Sequence, residues 1–112
     1  MRIALVLTLA LALPTCAEAA VPQLRLVGER PVHVTGTGFH GAEQVTVRVS
    51  LSSGATFART AVATRSGRIA IRFLGHTMSP CDGYSLTAVG DAGSRVTKKI
   101  AVPPSCGVVV PP

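Results

Sequence analysis

The stretch Gln44-Val45-Thr46-Val47-Arg48-Val49-Ser50-Leu51 alternates without a break. Val45, Val47, Val49 and Leu51 fall on one side of an extended chain, and Thr46, Arg48 and Ser50 on the other. Successive side chains of a strand point to opposite faces, so this segment reads as a strand with one face buried and one wet. Residues 68–73 repeat the pattern after the turn Ser66-Gly67, with Ile69, Ile71 and Phe73 inward and Arg68, Ala70 and Arg72 outward. Residues 84–89 place Tyr84, Leu86 and Ala88 on one face, and residues 96–102 do the same with Val96, Ile100 and Val102. Lys98 interrupts that last row. Either a bulge sits there, or the strand is an edge whose inward lysine discourages pairing with other chains. Residues 24–27, 32–37 and 56–64 are rich in Val, Thr or aromatics and alternate less cleanly. No useful helical period appears among these segments.

The expected fold is therefore all-β, seven short strands separated by Gly- and Ser-rich breaks at spacings of about 8 to 12 residues. A single two-sheet sandwich of immunoglobulin type meets that pattern, with a small open barrel as the alternative. Ala92-Gly93-Ser94 marks a hairpin between the last two strands, and Pro103-Pro104 ends the last one.

Upstream of the strands, Arg2 precedes an apolar run over residues 3–13 broken by Thr8 alone, followed by Pro14 and Ala17-Glu18-Ala19. This is the pattern of a cleaved signal peptide over residues 1–19, too short for the roughly 20 apolar residues of a bilayer span. A lipoprotein reading competes, with Cys16 modified at Leu13-Pro14-Thr15-Cys16, although Pro14 and Thr15 stand where a lipobox prefers small residues. The expected organisation is a signal peptide at 1–19, a sandwich domain at 20–107 and a Pro-ended tail at 108–112. The expected location is periplasmic or secreted, with no transmembrane segment.

Cleavage removes Cys16 and leaves Cys81 and Cys106, an even pair that in an oxidising compartment reads as a disulfide. His33, His40 and His76 lack the paired spacing of zinc sites, and neither metal nor cofactor is expected. Ten Lys and Arg against four Asp and Glu remain, a net charge of +6 scattered along the chain. Such an excess favours anionic polymers or surfaces.

Val34-Thr35-Gly36-Thr37-Gly38-Phe39, then Gly41-Ala42-Glu43-Gln44-Val45-Thr46-Val47, resembles the opening of bacterial Ig-like modules found in exported proteins. Thr64-Arg65-Ser66-Gly67-Arg68-Ile69 and Asp82-Gly83-Tyr84-Ser85-Leu86-Thr87-Ala88 extend the resemblance in order, over most of residues 22–103. It implies the sandwich fold and little about function. Within it, Gly36 and Gly38 are expected to let the second strand bend away, with Phe39 plugging the end of the sandwich. Asp82-Gly83-Tyr84 looks like a tyrosine corner. In that topology Cys81 and Cys106 lie at the same end of the domain.

Chemistry has little to draw on. His76, Ser79 and Asp82 share one loop without a nucleophile-elbow frame, and four carboxylates with no catalytic pairing give acid–base or calcium chemistry little support. No Trp, one Tyr and three Phe leave no aromatic platform for glycans or single-stranded nucleic acid, so no specific nucleic-acid partner is expected. The expectation is a non-enzymatic module of the cell envelope or extracellular space. It would bind a protein partner or an anionic envelope polymer through its sheet faces or loops. One face would carry Thr46, Arg48, Ser85, Thr87, Thr97 and Lys99. The other would carry Arg25, His33, Thr35, Arg68 and Arg72, of which Arg25, Arg68 and Arg72 are the candidates for anionic contact. Two alternatives stand beside this: an electrostatic binder of anionic polymers or membrane surface, and a small-ligand carrier. The carrier reading rests on a similarity to the enediyne-antibiotic apoproteins, whose cleft-shaping cysteines are missing from residues 52–65.

Overall fold

The computed structural model describes residues 21–107. The signal peptide, the lipoprotein alternative at Cys16 and the tail at 108–112 lie outside the described residues. Seven strands, β1 (Gln23–Glu29), β2 (Val32–Thr37), β3 (Gln44–Leu51), β4 (Thr56–Val62), β5 (Ile69–Phe73), β6 (Tyr84–Gly90) and β7 (Arg95–Ile100), precede a short helix α1 (Pro104–Gly107). They form two antiparallel sheets, β1-β2-β5 and β4-β3-β6-β7, packed as an immunoglobulin-like sandwich. In the constant-type arrangement the fourth strand joins the sheet of the first; here β4 pairs with β3 instead.

The alternation of β3 places the strand at the centre of its sheet. Val45, Val47 and Val49 are fully buried, while Thr46 and Arg48 face outward between Thr60 and Ala58 of β4 and Val89 and Thr87 of β6. Val32, Val34, Ile71 and Phe73 meet them from the other sheet, and Phe57 and Phe73 pack edge to face at 5.0 Å.

Three expectations are revised. The second strand does not leave its sheet at Gly36, which stays paired with both Leu24 and Ile69. What Gly36 provides is room: a Cβ there would lie 2.8 Å from both the Phe39 ring and Ile69, and Phe39 is buried over the gap as the plug. Arg68 stands one residue before β5, its N–H donating to the Thr64 hydroxyl of the preceding turn. The last strand ends at Ile100 rather than Val102, and its register with β6 is continuous through Lys98, so no bulge is present. The edge reading of Lys98 therefore holds.

Both open sides of the sandwich are closed in the same way. On one side Lys98 of edge strand β7 donates its Nζ to the Leu24 carbonyl of edge strand β1, at 3.4 Å. On the other, Arg59 of edge strand β4 donates Nη1 to the Arg72 carbonyl of edge strand β5, at 2.8 Å. Each cation occupies an inward-parity position that a core residue would otherwise take.

Cys81 and Cys106 form a disulfide with their Cα atoms 5.3 Å apart. It fastens the segment after β7 to the turn before β6. Closing a loop of 25 residues stabilises the fold by about 3.5 kcal/mol on the chain-entropy estimate.

Candidate functional site

The register builds two outer faces. On the four-stranded sheet, Arg48, Thr87 and Thr97 make one cross-strand row and Ser50, Ser85 and Lys99 the next, with Thr46 bonded to Thr60 through their hydroxyls at 2.9 Å. On the three-stranded sheet, His33 lies opposite Arg72, and Arg25 and Ala70 flank Thr35. Arg68, exposed, continues the outward row of β5 beyond Ala70. Strands lie about 4.8 Å apart and same-face residues about 6.7 Å apart along a strand, so Arg25, Arg68 and Arg72 form a triangle roughly 12 Å on a side. Sequence reasoning thus placed all three on one face and missed Arg59, which joins them at the β4 edge. Together with His33, Ala70, Arg72 and Leu74, Arg59 lines a groove of about 600 Å³. Its signal was hidden because a charged residue at inward parity reads as a defect in the strand.

The electrostatic character of this face depends on what occupies the carboxylates. Glu43 is 3 % exposed, and its Oε1 accepts from the Ser94 hydroxyl at 2.6 Å and the His40 N–H at 3.1 Å. Its Oε2 accepts from the N–H groups of Ala92 at 2.9 Å and Ser94 at 3.2 Å. Burial opposes ionisation of this carboxyl, but the four hydrogen bonds outweigh it and hold the group below its ordinary value. Gly90 makes the room, since a Cβ there would run into the Glu43 carboxylate. Asp91 accepts from the Gln44 N–H at 3.0 Å and Asp82 from the Ser79 N–H at 2.8 Å. Glu29, at the end of β1, acts on Tyr84: burial first, then the Glu29 charge, raises the phenol above its ordinary value.

Three of the four carboxylates are thus occupied by backbone N–H groups. The two hydrogen bonds that Arg and Lys side chains make among the described residues go to backbone carbonyls. The outer face of β1-β2-β5 carries no carboxylate opposite its arginines in the strand register.

The loop of candidate nucleophile and base is built as structure. Asp82 and Ser79 close a turn in which the Ser79 hydroxyl accepts from the Cys81 N–H at 3.1 Å, and the His76 ring instead stacks on Phe57 at 4.1 Å. The tyrosine corner is not formed, because the Tyr84 phenol takes part in none of the side-chain hydrogen bonds among the described residues. Tyr84 lines instead an apolar groove of about 470 Å³ with Leu51, Gly83, Ile100, Ala101 and Val102, rimmed by Ser50, Ser85 and Lys99. Residues 52–55 form a tight hairpin turn, strand β4 pairs with β3 along its length, and residues 63–65 lead into the turn before β5. Among the described residues no helix is long and apolar enough to cross a membrane. No protein-family model matches the chain, and the search of curated proteins returned no match.

Proposed function

We propose that this protein is a non-enzymatic, exported binding module of the Ig-like kind that works through its sheet faces. The basic face of β1-β2-β5 is its contact surface for an anionic polymer of the cell envelope. The observation that supports this most is the number of guanidinium groups gathered at this face and its edge, four against the two arginines and one lysine on the outer face of the other sheet. Arg25, Arg68 and Arg72 share one outer face, Arg59 adds a guanidinium at its edge, and three of the four acids are engaged with backbone. Guanidinium forks suit phosphate and carboxylate oxygens. The disulfide and the signal-peptide pattern of the first 19 residues support an oxidising, extracytoplasmic setting.

Retention on immobilised polyphosphate, measured between about 50 and 200 mM salt, tests the reading. Replacing Arg25, Arg68 and Arg72 by Ala should weaken binding and flatten the salt dependence by roughly one unit of slope per arginine lost. Replacing Arg48, Arg95 and Lys99 on the opposite sheet should change it much less. Equal loss from both triple variants would reduce the effect to net charge, and binding that ignores salt would sink the proposal. In the latter case, crosslinking in envelope extracts would be expected to return a protein partner.

A further inference from the structure

The outer face of the four-stranded sheet repeats the pattern of charge carried by the other. Arg95 and Lys99 stand four residues apart along edge strand β7, and Arg48 lies two strands away on β3, in the cross-strand row of Thr97 and Thr87 that passes midway between them. On the opposite sheet Arg68 and Arg72 are also four residues apart along one outward row, and Arg25 lies two strands away on β1, in the row of Ala70 and Thr35 that passes midway. With strands about 4.8 Å apart and same-face residues about 6.7 Å apart along a strand, each set is a triangle with two sides of about 12 Å and one of about 13 Å. The same three-cation figure therefore stands on both sides of the sandwich, and all six side chains are exposed. The acids of the described residues avoid both figures. Glu43 is buried under the β6–β7 hairpin, Glu29 sits opposite the buried Val32, and Asp82 and Asp91 flank β6 in the loops at its two ends. No cross-strand row of either outer face contains a carboxylate. The hydroxyls of Ser50, Ser85, Thr87 and Thr97 lie among the cations of the second face and add donors.

We infer that the protein is bivalent and bridges two strands of the anionic polymer, one on the triangle of Arg25, Arg68 and Arg72 and the other on that of Arg48, Arg95 and Lys99. The inference rests on the reading of the β1-β2-β5 face as a polymer contact, and adds the second contact that turns a ligand into a cross-link. Packed sheets lie about 10 Å apart and their outer side chains lead away from each other, so a strand lying on one face leaves the other open. For the same strand to occupy both it would have to reverse round an edge of the sandwich, and the like charges along a polyanion resist so tight a bend. The second contact is the weaker of the two, with a lysine in place of one arginine and without Arg59.

A two-layer capture experiment tests the bridge. Polyphosphate fixed to a surface is saturated with the protein at about 50 mM salt, the excess is washed away, and fluorescently labelled polyphosphate is then offered. The coated surface should hold labelled chains and release them as salt is raised. A variant with Arg48, Arg95 and Lys99 replaced by Ala should coat the surface nearly as well as the parent and capture about tenfold less label. Replacing Arg30 and Arg65, exposed in turns outside both triangles, should leave capture within about twofold, which separates the face from net charge. Circular dichroism checks that each variant keeps its strands. A surface that takes up no parent protein ends the polymer-contact reading and the bridge with it. A coated surface that captures no label leaves that reading standing and overturns the bridge, one strand then wrapping both faces or the second face lying idle. Capture that survives loss of Arg48, Arg95 and Lys99, as a pair of self-associated copies would give, also overturns it. So does capture that falls equally when Arg30 and Arg65 are replaced.

Discussion

Glu43 shows how a single side chain can join two loops that the sequence keeps 51 residues from each other. It stands at the inward parity of β3, one step beyond Val45, where the core ends and the β6–β7 hairpin folds over. Four donors converge on it, so removal leaves them without their acceptor and protonation weakens the bonds to the oxygen that takes the proton. Because the folded carboxyl titrates below its ordinary value of 4.5, its contribution is complete above that pH. It disappears as the pH falls through the folded value. Glu43→Gln should therefore lower the melting temperature at pH 7 by roughly 5 to 15 °C. It should also flatten the acid limb of the stability profile, and thermal melts of both proteins between pH 7 and pH 3 check both. The residue was visible in the sequence only as an acid just ahead of a buried strand. Nothing in the alternation of β3 says which backbone donors will surround it, because they come from a hairpin placed by tertiary pairing. Gly36 and Phe39 were more legible, since a glycine in a strand followed by an aromatic announces a gap and its filler. The form of the gap, a pocket in a paired strand rather than a bend, was not.

Strands whose two faces meet different media were readable to the residue, as Gln44–Leu51 shows. Edge strands were less so, because their inward positions need not be apolar. Arg59 and Lys98 each break an inward row and each brace the neighbouring sheet through a carbonyl. Inward cations also blunt the unpaired edges of β4, β5, β1 and β7 against pairing with other chains. Replacing Arg59 by Leu and Lys98 by Ile should leave stability within about 1 kcal/mol of the parent, as for partly exposed positions. It should produce self-association visible in light scattering at high protein concentration. A double variant that stays monomeric would remove this role from the two side chains. The sheet to which β4 belongs was also open to reading in principle. Ser53-Gly54 sits between β3 and β4 in a turn too short to cross to the other sheet, and antiparallel strands joined so tightly pair with each other.

At the scale of the whole molecule, a domain of this size buries a modest core, and the disulfide is a large part of what holds it. Removing it by Cys81→Ser with Cys106→Ser should lower the melting temperature by roughly 15 to 25 °C, the equivalent of about 3.5 kcal/mol. Calorimetry under oxidising and reducing conditions reads this directly. The pairing was legible from cysteine arithmetic alone, whereas the apolar groove beside it was not. Its lining comes from the ends of three strands and a loop that only the folded register brings together. Cys81 stands just ahead of β6 and Cys106 just after β7, so the bridge ties a noose around the last hairpin and leaves β1 to β5 outside it. A bridge that restricts the unfolded chain raises that state in free energy, so the cysteine-free variant should fold more slowly to the extent that the loop between residues 81 and 106 is closed in the transition state, and unfold faster by the remainder.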